Sequence, residues 1–173
     1  MSSAADLLRA LMRETPDFPE PGVLFRDLTP VLADGVALAA LADELAAPFG
    51  DAYDVVAGLE ARGFPLAAAI AARTGRGMLL VRKAGKLPGP VLSEDYGLEY
   101  GTDVLELRAD LLPAGTRVLV VDDVLATGGT VAAAHRLIRA AGWTLAGTAV
   151  ALELAELGGR ARVDATIHAV LTV

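Results

Sequence analysis

Arg117 to Thr130, RVLVVDDVLATGGT, leaves this chain few folds to choose from. Val118–Val121 is wholly apolar and reads as a strand buried on both faces. Two acids, Asp122 and Asp123, follow at its carboxyl end. Ala126–Thr130 then supplies Ala-Thr-Gly-Gly-Thr, and a helix is predicted over Gly129–Ala141.

The rest of the chain repeats this alternation. Strands are predicted at YDVVAGL, GMLLV, TLAGTAVALEL and ATIHAVLTV, and a helix over Phe64–Thr74. Short Val-rich runs separated by helices indicate an α/β fold, with a central, mostly parallel sheet flanked by helices. Such sheets bind ligands outside the carboxyl ends of their strands, where Asp122 and Asp123 fall. Upstream, Leu7, Leu8, Leu11 and Met12 carry helical spacing within Ala4–Arg13. PDFPEPG is irregular, VLFRDL is extended, and Asp34 caps a helix reaching about Pro48. Residues 82–103 read as a long loop and DVLELR as an edge strand.

The 173 residues fit one domain, 54% hydrophobic and 21% charged, hence globular. Mean hydropathy is +0.48, but FPLAAAIAA is short and VALAALADELAAPF is broken by Asp43 and Glu44. Neither approaches the roughly 20 apolar residues that span a bilayer. The first residues, MSSAADLLRALMRE, are charged and amphipathic, without a signal-peptide core, so a soluble cytoplasmic protein is expected. The absence of cysteine removes disulfides and thiolate metal sites. A net charge of −7 argues against a general nucleic-acid surface. The basic run VRKAGK, Val81–Lys86, goes against that sign and suits a small anion.

The glycine turn offers unpaired N–H groups at a helix N-terminus, a natural anion cradle. The two carboxylates cannot hold a phosphate, but they can accept from the vicinal hydroxyls of a ribose. A phosphate with a ribose attached satisfies both halves. The spacing and lysine of a P-loop are absent, as is a G-x-G-x-x-G fingerprint. VVAGLEARGF is a second strand–turn–helix unit, able to present N–H groups to a second anion.

VLVVDDVLATGGT resembles the ribose-5-phosphate signature of the type I phosphoribosyltransferases. PDFPEPGVLFRDLTPVL, GLEARGF, VRKAGKLPG and LEYGTDVLEL follow the order and spacing of the adenine-using members, from about Pro16 to Arg160. The resemblance implies transfer of a 5-phosphoribosyl group from 5-phosphoribosyl 1-diphosphate to N9 of adenine, giving AMP and diphosphate, with Mg²⁺ held mainly by substrate and water. It implies ribose 5-phosphate on Asp122, Asp123, Ala126, Thr127, Gly128, Gly129 and Thr130. Diphosphate is expected on Glu60, Ala61, Arg62, Lys83 and Lys86, with Arg82 beside them, and the Glu60–Ala61 peptide is expected to be cis. Leu24, Phe25 and Arg26 would form an adenine-binding hood, in a unit of about residues 1–33. Residues 92–102 would be a flexible catalytic loop. In it, Glu99 would be the general acid/base at purine N7, closing over the substrates with Tyr100. Relatives imply a homodimer. Another purine such as xanthine, or a non-catalytic regulator that binds phosphoribosyl diphosphate, stand as alternatives. His135 and His168 read as structural or surface residues and Trp143 as packing.

Overall fold

The structure, a computed structural model, describes residues 2–97 and 102–173. Among them, the order across the main sheet is β5 (Leu92–Gly97), β6 (Thr102–Leu107), β4 (Gly77–Lys83), β3 (Val55–Leu59), β7 (Arg117–Leu125), β8 (Thr144–Glu153) and β9 (Ile167–Thr172). The five from β4 to β9 run parallel, whereas β5 and β6 form an antiparallel pair at the β4 edge. A separate antiparallel pair, β1 (Arg13–Pro16) and β2 (Leu24–Asp27), stands apart from this sheet. Its helices are α1 (Ala4–Leu11), α2 (Thr29–Ala33), α3 (Gly35–Ala46), α4 (Gly63–Thr74) and α5 (Gly129–Ala140).

The pleat of β7 divides the core. Leu119 and Val121 pack with Leu41, Leu45, Leu66 and Ile70 of α3 and α4. Val118 and Val120 face Val131, Leu137 and Ile138 of α5. Each such buried side chain stabilises the fold by about 1.5–3 kcal/mol, so the apolar run anchors both layers at once. At the helix starts, Asp34 accepts from the N–H groups of Val36 and Ala37 at 2.9 Å, the cap expected of it. Ser3 and Asp6 form a capping box for α1.

Three expectations are corrected. Residues 82–103 are not one long loop, because β4 continues through Lys83 and Leu92–Gly97 form β5. That strand is built on backbone pairing with β6, so its side chains, SEDYG among them, need no apolar period. β6 is consequently an inner strand, and β5 is the edge. Finally, β7 does not stop at Val121 but runs through both acids to Leu125, pairing with β8 at Asp122, Val124 and Leu125.

Candidate active site

β3 and β7 are neighbours, and the chain leaves them in opposite directions. From β3 it crosses through α4 to β4, and from β7 through α5 to β8 on the other face. A crevice opens where the order reverses, as open α/β sheets require.

On the β7 side, Asp122 and Asp123 are buried, and the Asp123 N–H donates to Asp122 Oδ1 at 2.9 Å. Burial, and then the charge of Asp123, push the Asp122 carboxyl well above the usual carboxylate range. Gly128 sits before α5 with φ +82°, a conformation that glycine adopts without penalty. Around it residues 124–131 enclose a cavity of about 60 Å³, room for an anion-sized group.

On the β3 side, the Glu60–Ala61 peptide is cis, as the resemblance implied. Glu60 gathers the basic segment: it accepts from the Lys83 N–H at 2.9 Å, from Arg82 Nε at 3.3 Å and from the Lys86 ammonium. Burial raises its carboxyl, but Lys86, the Lys83 N–H and Arg82 together outweigh that and hold it at about 2. Among residues expected at a diphosphate, Glu60 is thus an organiser of cations. Ala61 and Arg62 are exposed at the turn. Arg62 Nε donates to Asp123 Oδ2 and joins the two turns.

Leu24, Phe25 and Arg26 of β2 wall a cavity of about 380 Å³ that also includes Asp123, Leu154 and Leu157. Phe25 meets Phe18 edge-on at 5.1 Å, and the Arg62 guanidinium lies 5.6 Å from its ring centre. Arg26 pairs with Glu14 at 3.4 Å. The hood, the acids and the basic turn therefore converge at Asp123.

Glu99 and Tyr100 lie outside the described residues. Beside them, sequence reasoning missed Asp103 and Tyr96. Asp103 accepts from the Tyr96 hydroxyl at 3.0 Å and pairs with Lys83 Nζ at 2.9 Å. Burial and then Asp103 push the Tyr96 hydroxyl up to about 12. No spacing links these three residues, and only the β4–β6–β5 pairing brings them together.

A cavity of about 450 Å³ lies at the opposite, amino end of β8, beside Arg139, Trp143 and Gly147, and holds none of the expected site residues. Its Trp143 donates Nε1–H to Leu112 O at 3.3 Å. His135 is buried with Nε2 at 2.6 Å from Thr148 Oγ1, and His168 lies 3.7 Å from Glu44.

The phosphoribosyl transferase domain family matches residues 31–172. The adenine phosphoribosyltransferase of Clavibacter sepedonicus is 59% identical over 173 residues, 99% of this chain and 90% of that one. That of Renibacterium salmoninarum is 60% identical over 158 residues, 91% of this chain and 87% of that one. Among solved structures, the adenine phosphoribosyltransferase of Rhodothermus marinus superposes with a TM-score of 0.92 at 43% identity, covering 98% of each chain. The Saccharomyces cerevisiae enzyme, solved with an imino-altritol bisphosphate and adenine, gives 0.92 at 36% identity, covering 97% of this chain and 98% of that one.

Proposed function

The chain belongs to the phosphoribosyl transferase family, and on that premise we propose that its reaction joins adenine to 5-phosphoribosyl 1-diphosphate, giving AMP and diphosphate in purine salvage. The observation that carries this is the convergence at Asp123 of a glycine turn, a basic turn and an apolar hood.

The 5-phosphate rests on the N–H groups and hydroxyls of Ala126–Thr130, and Asp122 and Asp123 accept from the ribose hydroxyls. The diphosphate lies on the turn at Ala61 and Arg62, with Lys83 and Lys86 as point charges and Arg82 behind them. Adenine enters the hood between Leu24, Phe25 and Arg26. In a two-stranded ladder, alternate N–H and C=O groups of β2 face away from β1 and are free to read a base edge.

The C1–oxygen bond to diphosphate breaks and its electron pair leaves with that group. N9 of adenine then supplies the pair that forms the new bond to C1. Positive charge develops at C1, as in other glycosyl transfers, next to the ribose hydroxyls assigned to the two acids. Glu99, the general acid/base at N7, takes up the ring proton that adenine loses as N9 bonds to C1, and closure with Tyr100 excludes the water that would capture the cation. Mg²⁺ fits the chemistry as an ion carried on the diphosphate, whose charge it would neutralise. Among the described residues no three His, Cys, Asp or Glu are grouped to cage a metal, and Asp122 and Asp123 are the acids at hand.

A homodimer and a cytoplasmic location complete the proposal. No helix among the described residues is long and apolar enough to cross a membrane. Light scattering at twice the chain mass of 17.8 kDa would support the dimer. Function is tested by diphosphate release with adenine, hypoxanthine, guanine, xanthine, uracil and orotate in turn. Release with adenine alone, abolished in Glu99→Gln, is expected. Release with xanthine instead would overturn the hood assignment, and binding without release with any base would point to a regulator.

A further inference from the structure

Glu153, the last residue of β8, is buried, and Arg160 grips its carboxylate with both arms of the guanidinium. Arg160 Nε donates to Oε1 at 2.9 Å, Nη2 donates to Oε2 at 2.5 Å, and Nη1 reaches Ile167 O at 2.9 Å. Between the two residues the chain makes a turn, anchored at its start by Leu154 N–H on Leu125 O and Ala155 N–H on Val173 O, each 2.9 Å.

This turn touches both halves of the site. Leu154 and Leu157 line the hood cavity. Gly159 lies against the glycine loop so closely that a Cβ on Gly128 would strike Gly159 O. A Cβ on Gly159 would strike Ala126 O and lie 2.9 Å from the Gly128 nitrogen. The backbones of the two turns are therefore in contact with no room for a methyl group, and the placement of one sets the placement of the other.

We infer that Arg160 is a positioning residue: by clamping Glu153 it closes the 154–159 turn and so fixes the anion loop through Gly159. The inference rests on the transfer reaction proposed above. It does not require Arg160 to touch a ligand. Removing the guanidinium altogether would leave the buried Glu153 charge uncompensated and threaten the fold. Arg160→Lys keeps the charge but loses the two-armed grip, and Gly159→Ala crowds the loop from below while leaving the clamp intact.

The test is calorimetric binding of ribose 5-phosphate and, separately, of Mg²⁺-diphosphate to wild type and both variants, with melting temperatures and steady-state kinetics. Ribose 5-phosphate should bind roughly tenfold more weakly in both variants, the scale of one lost charge-assisted contact. Diphosphate binding, set by the turn after β3 rather than by the glycine loop, should stay within about twofold. The KM for phosphoribosyl diphosphate should rise more than kcat falls. Unchanged ribose 5-phosphate affinity, or equal loss of both ligands with a falling melting temperature, would overturn the positioning role. Wild type binding neither ligand would overturn the transfer reading and this inference with it.

Discussion

Arg62 Nε donates to Asp123 Oδ2, so one hydrogen bond spans the crevice between the turn after β3 and the end of β7. Under the proposed reaction, both partners are wanted by one substrate, Arg62 by its diphosphate and Asp123 by its ribose. Arg62→Ala should therefore weaken diphosphate binding by roughly 10–100-fold, the range of a lost charged hydrogen bond. Ribose 5-phosphate should bind as well as before or better, because Asp123 loses its competitor. Calorimetry with each ligand separately measures both, and parallel weakening would contradict the competition.

Changing Asp122 and Asp123 together to Asn should raise the KM for phosphoribosyl diphosphate by roughly 10–100-fold. The melting temperature should hold or rise, since burial already disfavours the charge on Asp122. A large fall in melting temperature would instead assign the pair to structure.

Glu60 links acid stability to the site. Its carboxyl is held at about 2, against an ordinary 4.5. Between those values the unfolded chain takes up a proton that the folded chain refuses, so this contribution is intact above 4.5 and is lost as pH falls towards 2. Glu60→Gln should lower stability at neutral pH and flatten its decline across that window. Denaturant titrations from pH 6 to pH 2 decide this, and curves for the two proteins that stay parallel would refute it.

His135 titrates in a neighbouring window for a different reason. Burial, and secondarily Arg139, lower it from 6.5 to about 4. A histidine lowered in the fold binds its proton first in the unfolded state, so stability falls as pH drops from 6.5 to 4. His135→Gln should lose less stability than wild type across that interval. Equal losses would mean that His135 is no more shielded than a surface histidine.

Gly63→Ala probes the closeness of the two strand ends. A Cβ there would lie 2.6 Å from Val121 O and 3.3 Å from Asp122 Oδ1. Relieving it must push the start of α4 away from β7, costing about 1–3 kcal/mol as overpacking does. Both melting temperature and phosphoribosyl diphosphate affinity should fall, whereas loss of stability alone would mean that the crevice tolerates widening.

Local chemistry was legible where it follows from consecutive residues. Val118–Val121, the acid pair and the glycine turn announce strand, crevice and cradle in one stretch, and Asp34 declares its helix. What could not be read depends on residues far apart in the chain. SEDYG looks like loop because its pairing with β6 is made by backbone groups, which leave no trace in side-chain spacing. Asp103 gathers Lys83 and Tyr96 only after three strands align. Glu60 is expected at the diphosphate turn by the resemblance alone, and no spacing showed that its carboxylate also gathers Lys83, Arg82 and Lys86 around it.

The detached β1–β2 pair has an evolutionary corollary. It shares no ladder with the main sheet, yet its β2 strand walls the cavity next to the acids. If the hood holds the acceptor as proposed, substitutions there would reshape its berth while every hydrogen bond of the main sheet persists. On the proposed reaction, acceptor choice could change among descendants of one scaffold without disturbing the strand and turn that carry Asp122, Asp123 and the glycine loop.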